Sequence, residues 1–212
     1  MYRNTFLSVM FLACCFNGSL CAQSDAQIYE RTCDAKTYPF SDPSPVATPN
    51  NSYYPYFRFD GFSMQAQEKQ WKMVVLENDY VKLTVTPEIG GKIWGAIDKV
   101  NNKEFVYTNG VVKFRDVAMR GPWTSGGIEF NFGIIGHAPT CSTPIDYLTK
   151  KNVDGSVSCH IFSYEWITRT VWNVEISLPK DKAYFTTHTT WFNQSSIDQP
   201  YYQWMNAGYA TK

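Results

Sequence analysis

The densest run of chemistry-bearing residues is Met119-Arg120-Gly121-Pro122-Trp123-Thr124-Ser125-Gly126-Gly127-Ile128-Glu129-Phe130-Asn131-Phe132-Gly133, continuing through His137 and Pro139 to Asp146. Gly126 and Gly127 permit backbone conformations closed to other residues and close approach of a ligand to the main chain. In the strand predicted after them, Ile128, Phe130 and Phe132 take one face, while Glu129 and Asn131 project together from the other. A carboxylate and an amide side by side, with Trp123, Arg120 and Asp146 close in sequence, suit a polyol. Polar groups bond hydroxyls, and an aromatic floor takes the C–H face of a sugar. The purely structural alternative pairs Glu129 with Arg120 and leaves the glycines to shape a bulge.

His137 follows the Glu129 strand in a Gly- and Pro-rich loop, where it can donate or accept a proton near neutral pH. Glu129 with His137 is therefore the candidate acid–base pair. His160 and His188 fall inside strand patterns and read as ordinary face residues. Cleavage of a glycosidic bond asks for two carboxylates about 5–10 Å apart. Glu129 is the first, with Glu88, Asp146 and Glu175 as candidates for the second. Ser125 has no G-x-S-x-G context, no glycine loop opens a helix to cradle phosphate, and no His or Cys spacing announces zinc. No cofactor or metal is expected.

The elements that must position these groups are strands. In Tyr80–Thr86, Val81, Leu83 and Val85 share one face, and Pro87-Glu88-Ile89-Gly90-Gly91 makes a turn into a second strand, Lys92–Ile97. Asn101-Asn102 caps a hairpin to a third, Glu104–Thr108. Later, Thr170, Trp172, Val174, Ile176 and Leu178 alternate, Pro179–Lys182 turns, and Ala183–Phe192 returns. No long stretch keeps a helical period, so the fold class is all-β, an antiparallel sandwich. Tyr201–Asn206 opens a further strand close to Lys212, and the chain reads as the front part of a longer protein.

Composition sets the outer limits. The 212 residues are 44% hydrophobic and 17% aromatic, and Lys plus Arg equal Asp plus Glu at 19 each. A formal charge of zero gives no footprint for nucleic acid. Residues 1–22 read as a signal peptide, with Arg3, an uncharged run Thr5–Phe16 and small residues up to Ala22. A lipoprotein anchored at Cys14 or Cys21 is the weaker variant. The protein is expected outside the cytoplasm, periplasmic or extracellular, with no membrane span. Three cysteines remain, Cys33, Cys141 and Cys159, compatible with one disulfide and a lone thiol or with three unpaired thiols. Residues 23–70, with prolines at 39, 43, 45, 49 and 55, read as an extended entry segment, and residues 71–212 as the sandwich domain.

Three blocks carry a resemblance: Leu76-Glu77-Asn78-Asp79-Tyr80 through Pro87-Glu88-Ile89-Gly90-Gly91-Lys92-Ile93, then Arg120-Gly121-Pro122-Trp123 with Ser125–Phe132, and Pro200-Tyr201-Tyr202-Gln203-Trp204-Met205-Asn206-Ala207. Over roughly residues 71–212 the chain resembles an uncharacterised bacterial family of galactose-mutarotase-like domains, exported and often followed by tetratricopeptide repeats. The resemblance implies a β-supersandwich, incomplete here at its C-terminal end, a sugar ligand near Glu129 and Asn131, and a protein partner reached through the repeats. Relatives carry paired histidines and Arg-Pro after the Glu-Phe-Asn block, whereas this chain has the single His137 before Ala138-Pro139. The leading expectation is an exported carbohydrate-binding domain. A glycosidase, lyase or epimerase using Glu129, and a structural module presenting helical repeats, are the alternatives.

Overall fold

Period-two alternation builds nearly all of the molecule, shown here as a computed structural model that describes residues 24–43, 57–117, 121–133, 136–165 and 168–211. The expected signal peptide 1–22, Pro45, Pro49, Pro55 and Arg120 lie outside these residues. Fourteen strands follow in order: β1 (Gln27–Tyr38), β2 (Gln67–Glu77), β3 (Val81–Thr86), β4 (Lys92–Asp98), β5 (Lys103–Val106), β6 (Val112–Lys113), β7 (Arg115–Asp116), β8 (Pro122–Trp123), β9 (Ile128–Phe132), β10 (Asp146–Lys151), β11 (Val157–Glu165), β12 (Thr170–Leu178), β13 (Thr186–Asn193) and β14 (Gln203–Ala207). The all-β expectation holds. Among the described residues no α-helix forms, and no helix is long and apolar enough to cross a membrane.

The larger sheet runs β14-β9-β4-β3-β2-β1-β6, with β5 added on β4, and the smaller runs β10-β11-β12-β13. One short parallel pairing, Thr37 opposite Val112, makes the larger sheet mixed rather than wholly antiparallel. Within the segment expected as an extended entry, β1 is a strand of the sheet, paired from Gln27 opposite Glu77 to Thr37 opposite Gln67. Its burial pattern is mostly exposed, so it carries little apolar alternation and is held chiefly by its backbone ladder.

The sheets close on one core. Val74, Leu76, Leu83, Ile93 and Phe130 from the larger sheet meet Cys159, Ile161, Trp172, Val174 and Ile176 from the smaller. Trp172 stacks on Phe132 with centroids 4.5 Å apart and planes at 16°. Asn78 ties the layers at one end, its Nδ2 donating to the carbonyls of Pro179 (2.7 Å) and Lys182 (2.8 Å), while its Oδ1 accepts the Tyr80 and Val81 amides. On its other face the larger sheet carries a second apolar cluster, including Trp71, Met73, Ile89, Trp94 and Phe114.

Among the described residues Cys33, Cys141 and Cys159 are all unpaired. Burial pushes the Cys159 thiol from 9.0 up to about 12, with Glu30 acting in the same sense, and Cys141 moves in the same direction. The native state thus favours the neutral thiol. The stability this contributes is complete below pH 9 and is lost as pH climbs from 9 toward 12. Urea unfolding at pH 8, 9.5 and 10.5 should show Cys159 contributing a fall of up to about 1.4 kcal/mol per pH unit above pH 9. Cys159→Ala should lose that component of the slope, whatever constant cost its smaller volume adds.

Candidate functional site

The Ser125-Gly126-Gly127 turn delivers the chain into β9. Gly127 has φ +66, and a Cβ there would lie 2.3 Å from the Ile93 carbonyl oxygen, so only glycine lets β9 settle beside β4. Gly127→Ala is expected to destabilise the fold by about 2–3 kcal/mol, combining left-handed backbone strain with a backbone clash. A chemical-denaturation midpoint measures this directly. With Ile128 set opposite Ile93, Phe130 and Phe132 enter the inter-sheet core, and Glu129 and Asn131 turn to the other face, as the alternation predicts.

Glu129 is 2% exposed, and three donors converge on it. Its Oε2 accepts the Trp123 indole N–H at 2.6 Å, while its Oε1 accepts Asn131 Nδ2 at 2.7 Å and faces His137 Nδ1 at 2.7 Å. A carboxylate is an acceptor-only group, so this geometry makes His137 Nδ1 a donor and leaves Nε2 as the free ring nitrogen. Burying such a charge without donors would cost several kcal/mol, and the three short bonds offset that cost. Asn131 is fully buried and occupied at both ends, its Oδ1 accepting the Ala138 amide at 2.8 Å. It therefore positions Glu129 and the His137 loop rather than meeting a ligand.

The accessible groups are rings. His137 keeps 17% of its side chain exposed and stands between two indoles, 4.6 Å from Trp204 and 5.8 Å from Trp123, both edge-on. β14 brings Trp204 opposite Asn131 and Asn206 opposite Glu129. Gly136 permits the approach of Trp204, because a Cβ at 136 would lie 2.1 Å from that indole. His137 itself sits at φ +50, a left-handed conformation that histidine visits uncommonly. Its Nδ1 bond to Glu129 and the two flanking indoles hold it there.

Behind the carboxylate lies a cation that sequence reasoning passed over. Lys92 is 2% exposed, and its Nζ donates to the Thr124 carbonyl (2.5 Å) and hydroxyl (3.1 Å), 5.9 Å from the centroid of the Trp123 ring. Burial pulls the Lys92 amine below its ordinary value, and the negative charge of Glu129 opposes that shift. Lys92 and Glu129 thus carry opposite charges that attract across the interior. The available signal was a lysine opening an otherwise apolar strand directly after Gly90-Gly91. Trp204 was likewise legible only as part of a strand motif.

The structure brings Glu129, Asn131, Trp123 and His137 together, and Arg120 lies outside the described residues. Asp146 stands exposed at the start of β10 in the smaller sheet, opposite Phe162. Of the candidate second acids, Glu88 accepts the Lys72 amide at 2.6 Å. Glu175 lies on the outer face of the smaller sheet, 3.8 Å from His160 and in register with His188. Among the described residues no three His, Cys, Asp or Glu side chains group to hold a metal ion.

A two-sheet all-β domain with a carboxylate–imidazole pair set under aromatic rings is the class these features define. Its family can be stated more narrowly. The chain belongs to the family described as Domain of unknown function (DUF5107), whose model matches residues 48–212. It is also similar, at 27% sequence identity and a TM-score of 0.79, to a TPR-domain containing protein from Parabacteroides distasonis seen in a crystal structure. That match covers 87% of this chain and 32% of the other, so the chain spans about a third of that relative's length.

Proposed function

We propose that this protein is an exported carbohydrate-binding domain of galactose-mutarotase-like supersandwich architecture, with the ligand seated against Trp123, Trp204 and His137. The observation that carries the reading is the buried Glu129 carboxylate, 2.7 Å from His137 Nδ1, with the imidazole partly exposed between two indoles. Indole surfaces suit the C–H faces of a pyranose, and the free Nε2 offers one directed hydrogen bond to a hydroxyl. Glu129 acts through His137, fixing its tautomer.

The same pair favours a second reading, an epimerase or lyase in which His137 Nε2 moves a proton and Glu129 supports the imidazolium. Two-carboxylate glycoside cleavage has less support, because Asp146 and Glu175 belong to the smaller sheet and Glu88 is bonded to the Lys72 amide. The likeness to a TPR-domain containing protein supports a further role, in which helical repeats joined to this domain meet a protein partner. Calorimetric titration with a panel of mono- and oligosaccharides tests the leading proposal. Binding at millimolar concentration or tighter that His137→Ala abolishes is the expected outcome, and absence of binding across the panel rejects it. Turnover of a bound sugar would shift the assignment to the enzyme.

A further inference from the structure

A cavity of about 510 Å³ opens on the face of the larger sheet that also bears Glu129. This volume falls within the ~300–1,000 Å³ of small-molecule sites. The shared face follows from register: Thr86 lies opposite Lys92, and Trp71, Met73 and Val75 project on the side away from the inter-sheet core. Two short elements are walls common to both places. β8 gives Pro122 to the cavity and Trp123 to Glu129. The 3-10 turn Pro139–Ser142 gives Thr140 and Ser142 to the cavity, while Ala138 just before it is bonded to Asn131.

The lining is amphiphilic in a specific way. Phe40 and Phe57 meet edge to face at 5.7 Å, and Trp71 and Phe114 lie 6.0 Å apart, together supplying flat apolar walls. Polar groups interrupt them: Glu88 accepts only a backbone amide, and Lys69 places its exposed ammonium 3.8 Å from the Trp71 ring centroid. Ser41 lines the same cavity, where a larger side chain would narrow it. Asp42 and Glu88 against Lys69 give no strong excess of positive charge, which disfavours a phosphate-rich ligand. Flat walls, a carboxylate and an ammonium match a neutral sugar ring, with C–H faces on the aromatics and hydroxyls on the polar groups.

We infer that this cavity is a second sugar subsite, so that the ligand is an oligosaccharide lying across β8 from the His137 site into the cleft between Phe57 and Trp71. The inference rests on the carbohydrate reading above and adds chain length to it. The test compares galactose with β-1,4-galactotriose, glucose with cellotriose, and xylose with xylotriose, by titration calorimetry on the wild-type protein and on Phe57→Ala and Ser41→Leu. At least one trisaccharide is expected to bind ten-fold or more tightly than its monosaccharide, and both variants should erase that gain. Should Phe57→Ala fail to fold, Ser41→Leu decides alone. A monosaccharide that binds as tightly as its trisaccharide, or a gain that survives in a folded variant, overturns the subsite and leaves the His137 site standing. Failure of every sugar to bind removes the carbohydrate reading and the subsite with it.

Discussion

On the carbohydrate-binding proposal, Glu129→Gln is expected to lower sugar affinity by about 10- to 100-fold and to destabilise the fold by about 2–4 kcal/mol, the largest expected effect at the site. The carboxylate accepts from Trp123 on one oxygen and from Asn131 and His137 on the other. Glutamine must present its NH₂ to one of these sets, so a donor faces a donor whichever way the amide turns. Loss of one charge-assisted bond is worth roughly 1.5–3 kcal/mol, which accounts for most of the stability lost. His137 also loses the partner that makes Nδ1 a donor, and its Nε2 no longer stays reserved for the ligand.

Lys92 makes that prediction sharper. With Glu129 neutral, the Lys92 ammonium is a buried charge whose opposing charge is gone, and part of the destabilisation arises there. Glu129→Gln combined with Lys92→Met is expected to recover part of the stability lost by the single change without restoring affinity. Urea unfolding of the four proteins in the cycle, alongside calorimetry, separates the two effects. Strict additivity in stability would show that lysine and glutamate do not communicate.

Trp172→Ala is the second large change, with an expected loss of about 3–5 kcal/mol. Trp172 is 1% exposed and lies flat on Phe132, so truncation opens a void between the sheets. Phe132 belongs to the strand that carries Glu129 and Asn131, but it projects to the opposite face. The folded fraction of Trp172→Ala should therefore keep its sugar affinity within a few-fold while its unfolding midpoint falls steeply. A matching loss of affinity in conditions where the variant is fully folded would mean that the core and the site are coupled through β9.

Much of the fold was legible because period two is a local property. Val81, Leu83 and Val85, the five alternating residues of Thr170–Leu178, and Ile128, Phe130 and Phe132 all enter the core as their spacing predicts. β1 escaped notice because a strand held by backbone pairing and mostly exposed on both faces leaves little apolar alternation to read. The site was half legible. Glu129, Asn131, Trp123 and His137 lie within fifteen residues of one another, and a Gly-Gly turn followed by alternating acid and amide marks them.

Sequence by itself determined which side chains share a face, because alternation along a strand depends only on the chain's own geometry. It therefore placed Glu129 and Asn131 together and set Phe130 and Phe132 against them. Tertiary structure alone decided what those groups meet. Lys92 comes from β4 and Trp204 from β14, so their approach to Glu129 depends on strand order and register, which no local period encodes. Only that assembly shows that Asn131 is spent on holding the loop, that Glu129 is buried behind an imidazole, and that His137 is the polar group left facing outward between two indoles.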